Sequence, residues 1–97
     1  MESVLRDKSY LFALRIVKLN KYLVCRHNEY TMSKQVLRSG TSVGVLIREA
    51  QYAQSAKDFI NKLSVALKEA NESKYWIMLL KDSEFITKKC TIIYSQI

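Results

Sequence analysis

Phe59, Leu63, Ala66, Ala70, Ser73, Ile77 and Leu80 follow one another at steps of 4, 3, 4, 3, 4 and 3 residues. A helix turns about 100° per residue, so this spacing lays all seven along one seam of about three heptads. A seam of that length needs an apolar surface opposite it. Other helices must supply it, because the chain has no Pro and only two Gly. The turn residues that a β-fold needs about every 8–12 positions are missing. The chain is therefore read as all-α. Its 97 residues make one domain, 1–97. A chain this short buries only about 60–65% of its unfolded surface, so association with further copies is an expected aid to stability.

Two more periodic segments precede the seam. From Ser3 to Cys25, one side carries Leu5, Phe12, Ala13, Ile16, Leu19, Leu23 and Val24. Lys8, Arg15, Lys18 and Arg26 form a stripe on the other side. Asn20 interrupts the apolar side and needs a hydrogen-bond partner there, or marks a boundary. His27, Asn28 and Glu29 read as the break. From Thr31 to Ala53, Met32, Val36, Val43, Ile47 and Ala50 share a face, and Lys34, Arg38 and Arg48 share the opposite one. Gly40 and Gly44 cost this helix about 1 kcal/mol each relative to Ala. Either another helix backbone approaches closely there, or the helix kinks or breaks at Gly40.

Ser55-Ala56-Lys57-Asp58 reads as a capping box opening the seam helix, with the Ser55 hydroxyl accepting from a free N–H and Asp58 in the positive first turn. Lys81 to Glu84 reads as a polar turn. Thr87 then caps a last helix of about three turns carrying Cys90, Ile93, Tyr94 and Ile97. The expected architecture is an antiparallel up-and-down four-helix bundle with a shortened fourth helix. Val65, Trp76 and Leu79 lie off the seam as a second apolar stripe. They are read as an oligomer interface, since Trp is enriched at interface cores. The alternative is one wide core with Trp76 at its edge.

Charge narrows the function. The chain carries a net charge of +7, which favours polyanionic partners, nucleic acid first and acidic membrane surface second. The excess is polarised: residues 1–38 hold eight basic and three acidic residues, and residues 39–97 hold eight and six. Lys8, Arg15, Lys18, Lys21, Arg26, Lys34, Arg38 and Arg48 are the candidate nucleic-acid contacts. Arg38 and Arg48 flank the Gly40–Gly44 step, where a structural ion pair is the competing role. RNP, KH, helix-turn-helix and zinc-finger signatures are absent, so contacts should be directed at phosphate with little sequence preference. Two other readings stay open. In one, the protein is a scaffold for protein partners. In the other, the basic residues only keep it in solution.

Catalysis and metal chemistry lack the residues they need. His27 falls in a break without a partner for nucleophile activation. Glu69 and Glu72 are three apart and could act as a carboxylate pair, but a solvated face with Glu–Lys pairing is the simpler reading. Two Cys and one His are too few for a Cys/His zinc site. No enzyme activity, catalytic residue, metal or cofactor is expected. Cys25 and Cys90 read as reduced, half-buried residues, with a single disulfide left open. The longest uncharged stretch, Ser39 to Ile47, is too short to cross a bilayer. No signal-peptide core precedes Tyr10. The expected location is cytoplasmic, with no membrane partner.

The run from Ser33 to Gly44, followed by Ile47-Arg48-Glu49-Ala50, strongly resembles the four-helix-bundle proteins encoded in 23S rRNA intervening sequences. The stretch from Ala56 to Ala70, with Tyr75-Trp76 and Leu79-Leu80, continues the likeness, and Lys8-Ser9-Tyr10 and Phe12-Ala13 resemble the family's first helix. The resemblance implies an antiparallel four-helix bundle assembled as a homopentamer, with no transferable active site. Relatives include the accessory variability determinant of diversity-generating retroelements, a basic pentamer that partners a reverse transcriptase and binds nucleic acid. RNA or DNA, further copies of the chain and a reverse transcriptase are thus the implied partners. Two departures stand out. Val45 and Leu46 replace a small residue and Asn, and the fourth helix is shorter than the family's. Either the product is truncated or neighbouring subunits cover the core.

Overall fold

A computed structural model describes the backbone of residues 2–87 and the side chains from Val4 to Thr87. Three helices account for nearly all of it: α1 (Glu2–His27), α2 (Thr31–Gln51) and α3 (Ala56–Asp82). No strand occurs among the described residues. The three long periodic segments are borne out. The short fourth helix expected after Thr87, with Cys90, Ile93, Tyr94 and Ile97, lies outside the described residues.

Local chemistry ends each helix. Asn28 takes a left-handed conformation, φ 53°, which Asn tolerates better than most residues. The Glu29 N–H then donates to the Leu23 carbonyl at 3.0 Å. Glu29 also opens α2. Its carboxylate accepts from the Met32 and Ser33 N–H groups at 3.1 and 2.8 Å, placing negative charge at the positive end of the helix. The α3 cap follows the sequence reading. Ser55 Oγ accepts from the Asp58 N–H at 3.0 Å, and the Asp58 carboxylate accepts from the Gln54 N–H at 3.2 Å.

Short connections make sequential neighbours antiparallel. Asn20 on α1 donates its amide to the Ser33 carbonyl at 3.2 Å, and further along Ile16 meets Gly40 and Ser9 meets Gly44. The partner of Asn20 is thus α2 backbone. Between α2 and α3, Ser39 pairs with Ser73 and Glu49 with Lys62. No Cα of α1 lies within 8 Å of α3, so α2 is the central helix. Side chains still join all three. Phe12, Ile16, Leu19, Leu23, Val36, Ile77, Leu80 and Ile86 form one buried cluster, and Val43, Ile47, Ala66 and Ala70 form a second. The seam helix buries Ala66 to Leu80 on its core side, while Phe59 and Leu63 are half-buried.

Gly40 answers the question its spacing raised. The helix runs unbroken through it. A Cβ there would sit 2.7 and 2.9 Å from the two γ-carbons of Ile16, a side chain with no exposed surface. The same atom at Gly44 would meet nothing nearer than 3.6 Å. Close approach of α1 therefore explains Gly40 and leaves room at Gly44.

Gly40→Ala should lose stability in urea denaturation, because overpacking at about 1–3 kcal/mol outweighs a propensity gain of about 1 kcal/mol. Gly44→Ala should gain up to about 1 kcal/mol. In the same assay Ile77→Ala should cost about 2–5 kcal/mol. Leu63→Ala, at a site already open on one side, should cost less than about 2 kcal/mol.

Candidate nucleic-acid interface

Between Lys8 and Arg48 the sequence contains one acidic residue, Glu29. Its carboxylate is taken up by the cap of α2. The cations of that stretch thus have no acidic neighbour in the chain left to compensate them. Lys8, Lys18, Lys21 and Arg26 are exposed and Arg15 is half-buried, and none forms an ion pair among the described residues. Helical spacing brings Lys8, Arg15, Lys18 and Arg26 to one stripe along the flank of α1, beside the buried row of Phe12, Ile16, Leu19 and Leu23. Lys34 is exposed on the first turns of α2.

Elsewhere Asp7, Glu49, Asp58, Glu69, Glu72 and Asp82 are held by partners. Arg38 reaches across to α3, where it bonds Glu69 at 2.9 Å and also Glu72. The Trp76 indole N–H donates to the same Glu72 carboxylate at 3.1 Å. Glu72 is held below the usual carboxylate range, first by the Trp76 N–H and then by Arg38, against the effect of its partial burial. Arg38 is raised by its bonds to Glu72 and Glu69. Lys62 pairs with Glu49, Arg6 with Asp7 and Lys81 with Asp82. Of the eight candidate contacts, Arg38 is therefore committed to an interhelical ion pair. Glu69 and Glu72 turn toward α2 to grip it instead of forming a solvated face. Arg48 lies with its guanidinium carbon 5.9 Å from the centre of the Tyr10 ring.

The second stripe divides. Trp76 is half-buried against the larger core cluster, Val65 lines a shallow surface hollow with Val45 and Leu46, and Leu79 is exposed. A larger apolar surface opens elsewhere. Leu5, Val43, Ile47, Leu63, Ala66, Leu67 and Ala70 line a trough of about 240 Å³. The sequence reading missed it, because Leu67 lies off the seam and is 63% exposed. Cys25 is an exposed free thiol, not half-buried as expected; its place opposite the Phe12–Leu23 row explains this. Cys90 lies outside the described residues. Another feature missed in sequence is Tyr22, an exposed ring on the cationic side of α1 whose hydroxyl meets His27 Nε2 at 3.1 Å.

A family model, described as the 23S rRNA-intervening sequence protein, matches residues 2–96. The chain belongs to that family. It is also similar to the crystal structure of a protein of unknown function, assigned to the S23 ribosomal protein family, from Bacteroides thetaiotaomicron. The two share 56% identity with a TM-score of 0.93, over 94% of this chain and 84% of that one. No protein of curated function matches the chain. Among the described residues, no helix of this intervening-sequence family member is long and apolar enough to cross a membrane.

Glu72→Gln tests the Arg38 clamp. The folded Glu72 carboxyl lies below its unfolded value. The stability it adds is present above the unfolded value and is lost as pH falls through the folded one. Wild type should exceed the variant in thermal stability at neutral pH, and the gap should close below about pH 4.

Proposed function

We propose that this member of the 23S rRNA-intervening sequence family is a non-enzymatic protein that binds RNA or DNA through phosphate contacts on α1 and the start of α2. One observation carries the reading. The cations Lys8, Arg15, Lys18, Lys21, Arg26 and Lys34 stand without acidic partners, while the acids nearest in sequence are spent on a helix cap and on Arg6. Glu29 is the one acid between Lys8 and Lys34, so much of the +7 charge lies on α1 and the start of α2. Such a surface attracts polyanions and releases their counterions on contact. Arg38 is better assigned to the fold than to the ligand, and Arg48 sits at the edge of the surface.

The assembly reading extends this. Copies of the chain associate into a homo-oligomer. The open trough and the exposed Ile60, Leu67 and Leu79 support association, because apolar surface of this kind is costly to leave in water. The pentamer rests on resemblance. Repeated around a ring, the α1 surfaces would add to one extended positive field. A role beside a reverse transcriptase and a role within an rRNA insertion are two settings for the same binding chemistry, both in the cytoplasm. The second reading, a scaffold for protein partners without a nucleic-acid role, is favoured by the trough alone.

Electrophoretic retardation at rising salt tests the binding. Wild type should bind RNA and DNA of many sequences, with a log–log slope of about −0.9 per phosphate contact on duplex DNA and about −0.7 on single strands. Replacing Arg15, Lys18 and Arg26 together by Glu should abolish most binding and flatten the slope with helix content unchanged. Arg38→Ala should lower the melting temperature and leave the slope alone. Absence of retardation at low salt would leave the scaffold reading.

A further inference from the structure

We propose that the nucleic acid taken by this surface is single-stranded, with a base stacking on Tyr22 while the flanking cations hold the phosphates. The inference rests on the nucleic-acid reading above and adds the class of ligand to it. Lys18, Tyr22 and Arg26 follow one another at intervals of four, and Arg15 lies seven before Tyr22. These intervals place all four on one stripe of α1, with the ring between cations a turn before and a turn after it. The ring is 42% exposed and takes no part in either core cluster.

The ring is also held in place. Its hydroxyl meets His27 Nε2 at 3.1 Å. The two rings pack edge to face with centroids 5.1 Å apart, and His27 in turn packs edge to face on Phe85 at 5.6 Å. Phe85 itself rests against the main core. A solvent-facing aromatic anchored through two further rings loses little freedom when a ligand covers it. A second exposed ring lies in the nearby α1–α2 connection. Tyr30 is 60% exposed, with its hydroxyl on Asn28 at 3.3 Å, and Lys34 follows it by four residues.

Cations alone favour the duplex, whose charge density is higher. Aromatic rings change that preference. In a duplex the base faces are stacked on one another, and the grooves offer a side chain only the base edges. A single strand offers its base faces freely, and stacking on an aromatic side chain tolerates any sequence. A cationic stripe with an anchored ring set into it therefore matches a single strand better than a duplex.

Fluorescence anisotropy with one labelled mixed-sequence DNA strand, alone and annealed to its complement, tests this at fixed low salt. Wild type should bind the single strand more tightly than the duplex. Tyr22→Ala should weaken single-strand binding about tenfold and leave duplex binding and the salt slope unchanged. Tyr22→Phe should keep most of the single-strand affinity, since the ring remains. Matching circular dichroism and melting curves establish that the variants are folded. A duplex preference in wild type, or equal losses on both forms in Tyr22→Ala, would overturn the inference while leaving phosphate binding intact. Failure of wild type to bind either form would remove the nucleic-acid reading and this inference together.

Discussion

The contact of Ile16 with the bare backbone of Gly40 sets the distance between α1 and α2, and most of the fold follows from that distance. A full side chain at position 40 would push α1 outward. Leu19 and Leu23 would then withdraw from Val36, Ile77 and Leu80, the residues that join the outer helices across the central one. The rest of α2 has the same character on its buried side. Ser33, Val36, Ser39, Val43 and Ala50 are no larger than Val, so both neighbours approach closely, and at Ile47, the larger buried residue, α3 answers with Ala66 and Ala70. The long side chains that fill the core come mainly from α1 and α3. The central helix is the thin one where Ile16 crosses it, and there it bears the propensity cost of Gly40 to be so.

Thinness on the buried side leaves the outer positions of α2 to set charge. Arg38 reaches over the helix pair to collect Glu69 and Glu72, with Trp76 fixing the second carboxylate from the other side. An exposed ion pair of this kind adds little stability by itself. Its larger effect is on distribution. Two negative charges are bound to α3 near their cation, and Glu29 is folded into a cap. The positive charge of α1 is then left uncancelled over about its whole length, which gives a small protein one surface with a strong field.

Helix positions were legible because they depend on near neighbours in the chain. The seam from Phe59 to Leu80, the Ser55 cap and the break at Asn28 and Glu29 all follow from spacing and local chemistry, although His27, read as part of that break, is the last residue of α1. The Glu29 cap was not legible, since its carboxylate reaches forward from beyond the usual capping residue, Tyr30. The candidate site was half legible. The α1 cations could be read from the wheel alone. Sorting Arg38 from them required the register of α2 on α3, which no single-helix pattern contains. For the same reason the seam overstated the burial of Leu63 and Phe59: a heptad step places a residue on a face but not how far the opposing helices extend over it. Trp76 showed both aspects of its stripe, half inside the core and half out.

The hydroxyls of Ser39 and Ser73 lie 3.0 Å apart in the α2–α3 contact, and neither residue has exposed surface. Leucines and alanines around them would tolerate a slide of α3 along α2, because one alkyl contact is much like another. The two hydroxyls would not. A slip of one helical turn, about 5.4 Å, would leave each of them reliant on its own helix carbonyl, with the loss of one interhelical hydrogen bond of about 0.5–1.5 kcal/mol. The pair works as a detent. It adds little to the depth of the packing well but fixes where along the axis the well lies, and so decides which residues of α3 arrive opposite Arg38.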